Sequence, residues 1–106
     1  GKLKDTVRAK TKRTSGQSLS QTIVELNRTL RGWFEYFKHC PCETFSELDG
    51  WIRRRLRSLL RKQLGRQGIA RTHGADHWRW PNAFFAKHGL FSLQEAHAQA
   101  RRSSPR

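Results

Sequence analysis

Carboxylates are scarce in this chain. Eight Asp and Glu stand against 22 Lys and Arg, a formal charge of +14 over 106 residues. A surplus of that size repels itself in a compact monomer and attracts polyanions. Nucleic acid is the first partner class it suggests, and an anionic membrane surface the second. Cysteine is almost missing too. Cys40 and Cys42 lie too close to staple a fold, which suits a reducing cytoplasm. Structural zinc commonly takes four ligands from two paired motifs. No second cysteine pair follows, and His73, His77, His88 and His97 have no partner motif, so His39, Cys40 and Cys42 read as a turn with free thiols. No apolar run approaches the ~20 residues that span a bilayer, and no secretory signal is apparent. A membrane partner is therefore not expected. The acids are scattered, with no aspartate pair arranged for two-metal chemistry. A glycine-rich phosphate loop is likewise missing. We expect no catalytic residue, no metal and no cofactor. The opening Gly1-Lys2-Leu3, without an initiator Met, reads as a piece of a longer protein.

What the chain does have is helical pattern. Leu3 and Val7 are four apart, which predicts a short basic helix over 3–13. Ser18 followed by Gln21 has capping-box spacing. Leu19, Ile23, Leu26, Leu30, Trp33 and Phe37 then form a heptad-like seam widened by Phe34, predicting a helix over 19–39. Gly32 inside it suggests close approach of another backbone. Thr44 with Glu47 repeats the capping box and predicts a helix over 45–64, with Gly65 at its end. Residues 65–80 read as loop. Pro81 at a first helical position and Gly89 past the end predict a short helix over 81–88. Ser92 with Glu95 opens a last helix over 93–101, and 102–106 reads as a tail. No segment sustains a period of two, so no sheet is expected. The fold class is all-α: one domain, a small three-helix bundle with one or two short C-terminal helices.

The helix over 45–64 carries the functional signal. On a wheel of ~100° per residue, Phe45, Leu48, Ile52, Leu56, Leu59 and Leu60 share an apolar arc. Arg53, Arg54, Arg57 and Arg61 lie on one flank, and Arg55, Lys62 and Arg66 on the other. No Asp or Glu occurs between Gly50 and Asp76. Solvated helices ordinarily mix signs to gain i,i+4 pairs. A one-signed basic stripe is the electrostatic footprint of nucleic-acid binding. Arg31, Arg71 and Arg79 join these as candidate RNA contacts. Trp78 and Trp80, flanking Arg79, are candidates for stacking on unpaired bases, or else cap the open end of the core. Trp33, Phe34, Phe37 and Trp51 read as core.

Leu26-Asn27-x-x-Leu30-Arg31-Gly32-Trp33-x-x-Tyr36-Phe37, followed by Phe45-x-x-Leu48-Asp49-x-Trp51-Ile52-Arg53-Arg54-Arg55-Leu56-Arg57, resembles the maturase-specific region of group II intron-encoded reverse transcriptases, also called domain X or the thumb. Phe84-Phe85-Ala86-x-His88-Gly89-Leu90-Phe91-Ser92-Leu93 is similar to the closing segment of bacterial members. The resemblance implies a cytoplasmic, bacterial, mainly three-helix thumb, non-catalytic alone. It implies structured intron RNA as partner, with the RNA–DNA template–primer duplex or a DNA target also held. An N-terminal reverse transcriptase domain would stand before it in the full-length protein. RNA contacts would fall to Arg31, Arg53, Arg54, Arg55 and Arg57, with Trp33, Tyr36, Phe37 and Trp51 structural. Two alternatives stay open: a structural module docking on the polymerase domain, and a double-stranded-DNA-binding helical module.

Overall fold

The computed structural model describes residues 2–12, 18–39, 41–66 and 79–103. They form five helices and no strand. The all-α bundle expected from the periodicity is what forms.

Helix α1 (Lys2–Lys10) buries Leu3 and Val7, the pair four apart. It ends where the Thr11 hydroxyl and amide both donate to the Val7 carbonyl, at 2.7 and 2.9 Å. Helix α2 (Leu19–Phe37) starts at Ser18, whose Oγ accepts the Gln21 N–H at 3.2 Å. Gln21 does not complete the reciprocal box: its side-chain amide reaches forward to Glu25. The buried stripe of α2 is Ile23, Leu26, Leu30 and Phe34, while Phe37 is 45% exposed. Phe37 shares the angular range of this stripe but is the last residue of α2, where it stacks on Trp33 at the end of the core. Among the described residues Gly32 meets no other backbone, and a Cβ there would touch nothing within 4 Å.

Helix α3 (Cys42–Arg66) begins three residues before Phe45 and runs through Gly65. Pro41, not Thr44, supplies its start: the Pro41 carbonyl takes the Thr44 N–H at 3.0 Å. Glu43 adds a negative charge to the first turn, where the helix dipole favours it. Phe45, Ile52, Leu56 and Leu59 are buried. Helix α4 (Asn82–Lys87) has Pro81 at its N-cap rather than inside it. Its end is a Schellman motif. Gly89 adopts φ +87°, and the Gly89 and Leu90 amides return to the carbonyls of Ala86 and Phe85, each at 3.0 Å. Helix α5 (Leu93–Ser103) is capped by Ser92, whose Oγ accepts the Glu95 N–H at 3.1 Å.

Helix α1 packs on α2, and α3 on α5. One core unites all five: Leu3, Val7, Leu26, Leu30, Phe34, Phe45, Ile52, Leu56, Leu59, Trp80, Phe85 and Leu93.

Two polar devices, one of them buried, fix the C-terminal segment on this core. Asp49, buried in the middle of α3, accepts the Leu93 and Gln94 amides and the Ser92 hydroxyl, each at 2.9 Å. A carboxylate from another helix thus satisfies the free donors of α5 and meets the positive end of its dipole. Asn27 on α2 clamps the α4–α5 turn. Its amide donates to the Gly89 carbonyl and its oxygen accepts the Phe91 N–H, both at 2.8 Å.

Candidate nucleic-acid interface

From Arg53 onward α3 is basic along its outer side, but its arginines do three different jobs. The packing of the C-terminal segment decides which does what.

Arg57 turns inward. It is 4% exposed, its Nε donates to the Trp80 carbonyl at 2.8 Å, and its Nη2 donates to Asn82 Oδ1 at 2.9 Å. Its guanidinium also lies 5.3 Å from the Phe85 ring centroid. This arginine holds the start of α4 and has no surface to offer a phosphate. Trp80 is buried with it, at 8% exposure, and is a core residue rather than a platform for bases. The physical reason is shared. Residues 80–82 lie over the flank of α3 that carries Arg57, and a helical wheel does not reveal which neighbour covers which flank.

Arg53 is half-buried on the same side and lines a cleft closed by α4 and α5. Arg54 stays exposed, as does Lys62. Together with Ser58 these repeat every four residues along one line of α3. Arg61 is half-buried. Arg31 is exposed on α2 with its guanidinium 5.5 Å from the Phe91 ring. Arg79 is exposed just before Trp80. The side chain of Arg66, and residues Arg71 and Trp78, lie outside the described residues, as does Cys40.

The densest gathering of charge was not anticipated, because half of it comes from α1. Trp51, half-buried on α3, has three cations over its ring: Lys4 Nζ at 5.3 Å, Arg8 Cζ at 5.4 Å and Arg55 Cζ at 5.8 Å. All three lie within the ~6 Å over which an indole quadrupole attracts a cation. Arg55 also straps the helices together. Its Nε donates to Thr11 Oγ1 at 3.0 Å, and its Nη2 to the Arg8 carbonyl at 3.4 Å. Arg54 and Ser58 complete the wall of a shallow cavity of about 280 Å³ with Thr11, Trp51 and Arg55. Three cations therefore crowd one indole, with Arg54 beside it in the cavity wall, and the only acid of α1, Asp5, pairs with Arg8 at 3.1 Å across exposed side chains. An exposed pair of that kind is weak in water, so a stronger anion can compete with Asp5 for Arg8. The signal available in the sequence was the four-residue spacing of Lys4 and Arg8. It puts both on a side of α1 away from Leu3 and Val7.

The aromatics of α2 divide differently from expectation. Trp33 is half-buried, stacked on Phe37 with centroids 4.8 Å apart and edge-on to Phe45 at 6.0 Å. Tyr36, expected to be structural, is 85% exposed. Trp51 belongs as much to the charged surface as to the core. Cys42 is an exposed free thiol. Among the described residues no group of three or more His, Cys, Asp or Glu could hold a metal ion, and no helix is long and apolar enough to cross a membrane.

The charge and spacing of this surface suit phosphates, contacts to which position a protein without reading sequence. Residues 1–80 match the family model described as "Group II intron, maturase-specific domain". No curated protein matches the chain. The matched residues take in α1, α2 and α3, hence the whole cradle around Trp51, the buried Arg57 and both halves of the resemblance noted in the sequence. Since the match spans well over half of its length, the chain belongs to the maturase-specific domains of group II introns, a family tied to intron splicing.

Proposed function

We propose that this domain binds structured intron RNA through the α1–α3 face and helps the RNA reach its splicing-competent fold. The observation that carries the proposal is the convergence of Lys4, Arg8, Arg54 and Arg55 around Trp51, with Lys62 further along the same helix. Double-helical RNA hides its base edges in a deep major groove and is held mainly by shape, phosphates and 2′-hydroxyls. Spaced guanidinium and ammonium groups on one rigid helix pair suit that target. In a full-length protein the same face would lie against the template–primer duplex held by an N-terminal reverse transcriptase domain. The domain itself contributes binding rather than chemistry.

The test is the triple variant K4Q/R8Q/R54Q with a folded group II intron RNA. Releasing ~0.9 counterion per phosphate implies about fivefold weaker binding per lost contact at 0.15 M salt, hence roughly 100-fold for three. Circular dichroism should be unchanged, since Lys4 and Arg8 donate no hydrogen bond to another element among the described residues and Arg54 is exposed. Unchanged affinity in the triple variant refutes the assignment. Equal competition by duplex DNA would favour the DNA-binding reading instead.

A second reading has its own observation. Tyr36 at 85% and Phe37 at 45% exposure are neighbouring rings, centroids 6.5 Å apart, left open to solvent at the end of α2. That helix end would dock on the polymerase domain, in addition to RNA binding on α1–α3. Substituting Tyr36 by Ser should leave RNA affinity of this chain intact and weaken its association with a separately supplied polymerase domain.

A further inference from the structure

The flank of α3 opposite the cradle holds a second site. Helices α3, α4 and α5 enclose a cleft of about 430 Å³ lined by Arg53, Phe85, Leu90, Phe91, Glu95 and Arg102, among others. That size falls in the ~300–1,000 Å³ range of small-ligand pockets. One of its lining residues carries an anomaly. Arg53 Nε is shut off from solvent and has no hydrogen-bond partner among the described residues. Buried donors are nearly always satisfied, so such an atom asks for an acceptor that no described residue provides. A guanidinium prefers a planar or tetrahedral oxyanion, bound in a fork. The second arginine, Arg102, is exposed on the rim. Between the two, the walls are apolar and partly aromatic, while Glu95 offers a carboxylate at the exposed edge.

We propose that this cleft takes a single unstacked nucleotide of the RNA partner. Arg53 would anchor its phosphate, with Arg102 assisting at the rim. The base would lie against Phe85, Leu90 and Phe91, and Glu95 would accept from an amino or imino N–H on the base edge. A bare phosphate leaves the apolar walls wet. A fatty carboxylate brings no donor to Glu95. A nucleotide matches the oxyanion site, the apolar walls and the acceptor together. Structured RNA supplies such nucleotides, because its loops and bulges splay bases out where proteins stack and read them. The inference rests on the RNA-binding reading above. It adds a base-capturing subsite built largely from residues beyond the matched 1–80.

The experiment titrates the 106-residue chain with the four 5′-nucleoside monophosphates, the corresponding nucleosides and inorganic phosphate at 0.15 M salt. Proton–nitrogen spectra follow the Arg53 Nε–H and the Leu90–Gln94 amides. The expected result is saturable shifts of those signals with nucleotide, and at least tenfold weaker binding of nucleoside and of phosphate alone. R53Q should abolish the shifts. R102Q, on the exposed rim, should weaken them severalfold should R53Q fail to fold. Duplex RNA is titrated in parallel against K4Q/R8Q/R54Q. Loss of duplex binding with nucleotide shifts retained keeps the two sites separate. Nucleotide shifts in a chain indifferent to duplex RNA would sink the cradle and leave the cleft standing. No saturable shift at Arg53, or equal binding of an acidic peptide, overturns the proposal.

Discussion

Arg54 and Arg57 sit three residues apart on one basic helix, yet they should fail in opposite ways when truncated. Arg57→Ala removes two hydrogen bonds from a buried guanidinium, to the Trp80 carbonyl at 2.8 Å and to Asn82 at 2.9 Å. Hydrogen bonds of charged donors contribute about 1.5–3 kcal/mol each, so the loss is about 3–6 kcal/mol before the contact with Phe85 is counted. For a domain of this size that corresponds to a fall in Tm of about 12–30 °C. Arg54→Ala removes an exposed side chain and should stay within about 0.5 kcal/mol. Thermal melts followed by circular dichroism separate the two. RNA affinity, measured well below either Tm, should fall about fivefold for Arg54→Ala alone. Arg57→Lys sharpens the contrast, since a single ammonium does not reproduce a planar fork onto two acceptors. That variant should melt nearly as early as the alanine. An Arg57→Ala protein that keeps its Tm and loses RNA binding would refute the division of these arginines into anchor and contact.

Three further outcomes follow from the described contacts. Asp49→Ala should destabilise the chain by about 2–4 kcal/mol, because it strips α5 of a buried cap carrying three hydrogen bonds. Faster hydrogen exchange at the Leu93 and Gln94 amides would show the loss locally. Asn27→Ala should cost about 1–2 kcal/mol and speed exchange at the Phe91 amide, which otherwise donates to the Asn27 oxygen. Gly32→Ala should stabilise by about 0.5–1 kcal/mol, since the position is helical and its Cβ would meet open space. A lower denaturation midpoint for that variant would mean the face is not open.

The helices were legible because each announces itself locally. Leu3 with Val7, the stripe from Ile23 to Phe34, the Ser18 and Ser92 caps and the Gly89 turn all act within a few residues. The misplaced boundary of α3 has a local cause as well, since Pro41 and Thr44 compete to start the same helix and only one carbonyl wins. The long-range polar contacts were not legible. Asp49 reaches residues 92–94, Asn27 reaches 89–91, and Arg57 reaches 80–82. Periodicity tells which side of a helix a residue occupies and stays silent on which element arrives to cover it. That is why Arg57 was read as a surface group, and why Trp80 was left open between a platform for bases and a cap on the core. It is also why the share of Lys4 and Arg8 in the basic face waited for α1 to be set beside α3.

The most direct test of the account is the salt dependence of RNA binding. Lys4, Arg8, Arg54, Arg55 and Lys62 offer contacts to four or five phosphates. At ~0.7–0.9 ion per phosphate, log K against log salt should fall with a slope of roughly −3 to −4.5. In K4Q/R8Q/R54Q the slope should flatten by roughly 2 to 3. A slope near zero in the unmodified chain, or the same steep slope in both proteins, would contradict the claim that this helix pair holds RNA by its phosphates.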